Sequence, residues 1–289
     1  MTAPRIVALG GGHGLSMTLE ALRDLAGELT AVVSVADDGG SSGRLRRELG
    51  IIAPGDMRRC LAALTPQGLV RDALGHRFDE GTLSGHPAGN LLLAALLENT
   101  DDPVLAMDTA VAMAGARGRI LPASRTRVDL LADTARGVVR GQVAVSRSGK
   151  IGRLYFSPAD PPVPIEVEAA IENADIVVVG PGSLYTSVLA AALPGVRRAI
   201  DMSDALVVYV ANLGPEAGET DGYSLADHVA AVRAHGLAPD VVLADHSLDV
   251  DSALESLVVS AALRARGGLV HEPELLANAV SELATGVRS

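Results

Sequence analysis

The apolar stretch that ends at Leu9 runs straight into Gly10-Gly11-Gly12-His13-Gly14-Leu15-Ser16, after which Met17, Leu19, Leu22 and Leu25 recur at helical spacing. That order reads as a buried strand, a glycine turn and a helix. Such a turn aims backbone N–H groups and a helix N-terminus at whatever lies above them, and the occupant they favour is an anion, usually a phosphate. The first expectation is a nucleotide or nucleotide-sugar ligand touching Gly11, Gly12, His13, Gly14 and Leu15.

The same alternation continues through a strand at Thr30 to Ala36 and helices at Met57 to Leu64, Ala88 to Glu98 and Val104 to Ala114. Alternating strands and helices build a parallel sheet with covering helices. From Arg117 to Phe156 the texture changes to short β-type runs, Gly118 to Leu121, Val138 to Val145 and Ile151 to Phe156, joined by connections too short for crossover helices. Hairpins fit such spacing, so a small antiparallel subdomain is expected there. The α/β pattern then resumes with strands at Ile176 to Val179, Leu206 to Val210 and Val241 to Ala244, helices from Ser183 and over Ser224 to His235, and a docking helix in the tail. The division expected is a single domain over 1–289, with core segments 1–116 and 158–250, a β insertion at 117–157 and the tail helix at 272–285.

Composition narrows the function. Hydrophobic residues make up 48% of 289, enough for a full core. A net charge of −11 argues against general nucleic-acid binding, which needs many cations to neutralise phosphates. The single cysteine, Cys60, admits no intrachain disulfide, and with no signal peptide evident a cytoplasmic location is expected. Ile176 to Val196 carries no charge, but Gly180-Pro181-Gly182 interrupts it, so no membrane span is expected. Only Lys150 among the 24 basic residues is a lysine, and it does not close the glycine run, which excludes a Walker-type P-loop. No serine-hydrolase elbow and no HExxH spacing occur, so the sequence writes binding more plainly than catalysis.

In an open parallel sheet, the loops after the strands converge on one crevice. After the second strand come Asp37, Asp38 and Ser41, where an acidic side chain can accept from a ribose hydroxyl, cap a turn, or serve with its neighbour as a divalent-metal or general-base pair. Gly180, Gly182, Ser183, Tyr185 and Thr186 read as a second anion cradle, with Ser183 placed to cap the next helix. Asn212 and Thr220 lie in a long polar loop of the kind that binds or covers ligands. His86 and Asn90 stand at the mouth of an apolar helix, as ligand contacts or as a cap. Asp56 reads as an N-cap, and Arg46 and Arg47 as a solvated face.

With its Asp-Asp-Gly-Gly-Ser-Ser-Gly-Arg-Leu-Arg block at Asp37 to Arg46 and its Gly-Pro-Gly-Ser-Leu-Tyr-Thr-Ser block at Gly180 to Ser187, the chain resembles the YvcK family of bacterial gluconeogenesis factors, relatives of the CofD phospholactate transferases. The similarity spans about residues 5 to 245, although His13 stands where many members have threonine and the segment after Asp245 looks shorter. The resemblance implies a Rossmann-like fold with helices on both faces of a mainly parallel sheet, binding of UDP-sugars such as UDP-N-acetylglucosamine, and a role in cell shape and cell-wall precursor control on gluconeogenic carbon sources. It implies no established catalysis and no required cofactor. The alternative is a CofD-like transferase using Mg²⁺ on Asp37 or Asp38, with NAD or GTP as further candidate ligands. A homo-oligomer and unidentified cell-wall or kinase partners stay open on this reading.

Overall fold

The computed structural model describes residues 3–286. Its first half supplies β1 (Arg5–Gly10), α1 (Gly12–Leu22), β2 (Glu28–Val33), α2 (Gly40–Leu49), α3 (Gly55–Leu64), α4 (Leu69–Gly75), α5 (Ala88–Glu98), α6 (Pro103–Ala114) and β3 (Arg119–Pro122). An inserted segment holds β4 (Asp129–Thr134), β5 (Gly137–Arg140), α7 (Gln142–Val145) and β6 (Ile151–Ser157). The second half runs through α8 (Ile165–Glu172), β7 (Ile176–Val179), a π turn over Leu184–Val188, α9 (Leu189–Ala191), α10 (Pro194–Met202), β8 (Leu206–Val210), α11 (Leu225–Ala234), β9 (Val241–Asp245), β10 (Val258–Ala261) and α12 (Pro273–Gly286).

Seven strands form one sheet in the order β3-β2-β1-β7-β8-β9-β10, and every neighbouring pair is parallel. The central strands are continuous apolar runs because a sheet covered on both faces leaves no solvent side; Ile176, Val177, Val178 and Val179 are all buried. From β1 the chain moves outward to β3, then returns to the other edge of β1 and moves outward again from β7 to β10. Right-handed crossovers on the two sides put their helices on opposite faces and leave a switch point between β1 and β7, where ligands of open α/β sheets bind. α1 buries Leu15, Leu19 and Leu22 and packs on α3 and α12, while α10 packs on α8. The tail helix docks through Leu276 and Val280, both buried.

The expected insertion is present but begins later. Gly118 to Leu121, read from sequence as part of a hairpin, instead leads into β3, which pairs in parallel with β2 from Thr30↔Arg119 to Val33↔Pro122. The helices α2 to α6 form the crossover that such a pairing needs. The antiparallel sheet proper is β5-β4-β6. Val138 to Val145 is not one strand either: Gly141, with φ of +101°, turns the chain out of β5 and into α7. β4, β10 and the helices α2, α4, α8 and α10 were not anticipated. Among the described residues no helix is long and apolar enough to cross a membrane.

Candidate functional site

Two glycine loops, one after β1 and one after β7, meet at the switch point. A Cβ on Gly14 would overlap the Pro181 carbonyl oxygen, so only glycine lets the first turn of α1 lie directly on the second loop. Gly182, with φ of +143°, completes the approach and would have the Gly11 carbonyl 3.8 Å from its missing Cβ. Asn212 fastens the second loop: its Oδ1 accepts from the Gly182 N–H at 3.0 Å and its Nδ2 donates to the Gly182 carbonyl at 2.9 Å. The N-cap of α1 is Gly11, which brings no side-chain acceptor of its own to the free N–H groups of the first turn.

Each helix start instead faces a carboxylate from elsewhere in the chain. At α1 it is Asp56, which takes the Gly12 backbone N–H and a 2.6 Å hydrogen bond from Arg59. Asp56 is not the N-cap of α3, a place held by Pro54; it lies buried inside the first helical turn. At the π turn after β7 it is Glu219, which accepts from the Tyr185 N–H at 3.1 Å, from the Thr186 N–H at 3.3 Å and from the Thr186 hydroxyl. Burial pushes the Asp56 carboxyl above the usual carboxylate range, with the charge of Asp37 adding to the shift and Arg59 opposing it. Burial also raises Glu216, which Glu219 repels, and raises Glu219 itself against its own hydrogen bonds. Beside these groups, burial pulls the Arg58 guanidinium down to about 10.

The inserted sheet roofs the crevice. Asp38 Oδ1 accepts from the Val143 N–H of α7 at 2.9 Å, and Gln142 Nε2 donates to the Thr186 carbonyl at 2.8 Å, so the four-residue helix bridges the loops after β2 and β7. The Gly149 N–H donates to the Gly218 carbonyl at 3.0 Å and ties the long loop after β8 to the same insertion. Below this roof a cavity of about 440 Å³ is lined by Gly12, Asp37, Asp56, Arg59, Gln142, Ser183, Thr186, Glu216 and Glu219. On the far side of the paired glycine loops a smaller space of about 290 Å³ takes His13, Gly14, Gly182 and Asn212.

Gly12, His13, Gly14, Asp37, Gly182, Ser183, Thr186 and Asn212 thus line the two spaces around the paired loops. Gly11 and Gly180 form the buried backbone beneath them. Asp37 also makes an Asx turn onto the Gly39 N–H at 2.9 Å, while Asp38 anchors the roof. Leu15 and Tyr185 are core side chains, and the buried Thr220 hydroxyl accepts from the Glu216 N–H. Ser41, His86 and Asn90 form a buried cluster: Ser41 Oγ lies 2.8 Å from His86 Nδ1 and accepts from Asn90 Nδ2 at 3.0 Å. This cluster fastens the start of α2 to α5 and lies outside the crevice, and Asn90, inside α5, is not its cap. Sequence reasoning gave no role to Glu216, Glu219 or Gln142, and misread Asp56. The usable signal was the cluster of three acidic residues, Glu216, Glu219 and Asp221, in the long loop after β8. Among the described residues no group of three or more His, Cys, Asp or Glu side chains is set to hold a metal ion.

The sequence matches the family described as 2-phospho-L-lactate transferase CofD over residues 6–264, and the chain belongs to that family. Within it the chain falls in the YvcK group, also designated UPF0052. It is 42% identical over 251 residues to the gluconeogenesis factor of Halalkalibacterium halodurans, covering 84% of this chain and 78% of that one. It is likewise 42% identical over 238 residues to the gluconeogenesis factor of Bacillus subtilis, covering 80% of this chain and 75% of that one. A crystal structure of a UPF0052 family member from Bacillus halodurans aligns with a TM-score of 0.92 at 37% identity, covering 99% of each chain.

Proposed function

We propose that the protein is a gluconeogenesis factor that works by binding a nucleotide-sugar, UDP-N-acetylglucosamine, and that it reports on cell-wall precursor supply and so on cell shape from the cytoplasm. The observation that carries this reading is the direct contact of two glycine loops at the switch point, Gly14 against Pro181. A diphosphate spans such a junction, with one phosphate on the α1 turn and the other on the turn after β7. The base and sugar then have the spaces of about 440 Å³ and 290 Å³ on either side. The designation of the relatives as gluconeogenesis factors supports the wider role.

One observation favours a second reading, a metal-dependent transferase with a nucleotide-linked donor. Asp37 and Asp56 both line the crevice, and the charge of Asp37 helps to raise the carboxyl of Asp56. A divalent cation held by one or two carboxylates and a substrate diphosphate would relieve that repulsion. Titration calorimetry with UDP-N-acetylglucosamine, UDP, NAD and GTP, with and without Mg²⁺, separates the two. Metal-independent preference for the UDP-sugar supports the binding protein; preference for GTP with a strict Mg²⁺ requirement, together with turnover lost in Asp37→Asn, supports the transferase. Absence of UDP-sugar binding at millimolar ligand refutes the first reading.

A further inference from the structure

Outside the crevice, a cavity of about 650 Å³ lies between α2 and the inserted sheet, and four of its walls are arginines: Arg46, Arg47, Arg127 and Arg140. The carboxylates that line it are Asp38 and Asp129. Asp38 is engaged by the Val143 N–H on the roof of the crevice. Asp129 is shared by two of the arginines: Arg46 Nη2 donates to its Oδ1 at 2.6 Å, and Arg140 donates to its Oδ2 from Nε at 3.0 Å and Nη2 at 2.5 Å. Arg46 is buried and further held by the Val128 carbonyl at 2.8 Å, so it is not the solvated side chain expected from sequence. The side chains of Arg47 and Arg127 are exposed and make no hydrogen bond or ion pair to another described residue. In a chain of net charge −11, this hollow carries four guanidinium groups against two carboxylates.

We propose that this cavity is a second anion site, separate from the glycine-loop crevice, that takes the phosphoryl group of a small phosphomonoester. The local excess of two positive charges matches a phosphomonoester, which carries roughly −1.5 to −2 near neutral pH. Guanidinium groups are suited to bidentate contact with its oxygens. Arg46 and Arg140, fixed on Asp129, form a preset floor, and Arg47 and Arg127 supply the uncommitted donors. Because Arg46 and Arg47 belong to α2 while Arg140 ends β5, an occupant would clamp the insertion onto the core, and Asp38 joins this wall to the crevice roof. The proposal does not depend on which ligand the crevice takes.

The test is titration calorimetry of phenyl phosphate into the full chain at low ionic strength, with benzoate as the carboxylate comparator and a phosphoserine peptide as the macromolecular one. Saturable binding is expected, weakened about tenfold in each of Arg47→Ala and Arg127→Ala and lost in the double variant, with thermal unfolding unchanged because both side chains are exposed. Arg47→Lys and Arg127→Lys should recover only part of the affinity, and Gly182→Asp, aimed at the crevice, should leave it intact. Absence of binding at millimolar phenyl phosphate, or equal binding by the arginine variants, overturns the site. Loss of binding in Gly182→Asp assigns the phosphate to the crevice and also overturns it. Equal affinity for benzoate overturns the phosphoryl preference, and much tighter binding of the peptide overturns the small-molecule occupant.

Discussion

The two glycine loops share a backbone logic and differ in how their own carboxylates occupy them. Over the α1 turn, Asp56 has a cation to share, Arg59, and a like charge to repel it, Asp37. Over the turn after β7, Glu219 makes no ion pair to a described residue and is held by two N–H groups and the Thr186 hydroxyl. A helix start attracts negative charge whether it comes from a ligand or from the chain. A phosphate arriving at the first loop can inherit Arg59 from Asp56, whereas one arriving at the second must displace Glu219 from every donor it uses. The first loop is the open half of the site and the second the guarded half.

The largest expected effect tests the contact between the halves. Gly14→Val drives a side chain into the Pro181 carbonyl and should cost about 3 kcal/mol or more of stability, read by thermal or denaturant unfolding. Unaltered stability would mean that the loops can part freely. Next comes Asp245, which holds Ser247 and the Leu263 N–H beyond the sheet. Burial works against its charge, but those hydrogen bonds outweigh burial and bring its carboxyl down to about 2. Its stabilisation is present above the usual carboxyl range and lost as the pH falls toward 2, so Asp245→Asn should lower stability by about 2 kcal/mol at neutral pH and flatten the acid limb of the unfolding curve.

The guard is tested by Glu219→Gln, which should raise UDP-N-acetylglucosamine affinity about tenfold by removing the competing charge. Asp56→Asn, which leaves Arg59 for the ligand, should give a smaller gain. A loss of affinity in Glu219→Gln would show that Glu219 builds the site and does not guard it. The smallest effect is in the pH dependence. Asp56, Glu216 and Glu219 are raised, so the folded state takes up protons at higher pH than the unfolded chain; their contribution to stability falls as pH rises through that window. Diphosphate binding should tighten by a few fold as pH falls through the same window, with a shallower slope in Glu219→Gln.

The parallel sheet and its switch-point loops were legible because buried strands leave unbroken apolar runs and tight turns leave glycines, as at Leu9 to Gly14 and Val179 to Gly182. β3 was misread because a four-residue edge strand ending at Pro122 carries the same local signal as a hairpin arm; its partner β2 is distant in sequence. α7 was invisible because one helical turn has no period to detect, and Gly141, Asp38 and Thr186 fix it through tertiary contacts. Asp56 was mistaken for a cap because an acidic residue beside a helix start has the same sequence signature whether it faces its own helix or another. Glu219 stood in a polar loop that drew notice, but which helix start it faces is set by the fold and not by spacing.

The most direct measurement is amide hydrogen exchange with and without saturating UDP-N-acetylglucosamine, followed over the peptides containing Gly11 to Leu15 and Gly182 to Thr186. A ligand lying across the paired loops should slow exchange in both segments together and to a similar degree. Protection of one loop alone, or of neither while another surface is slowed, would contradict a diphosphate bridging the switch point.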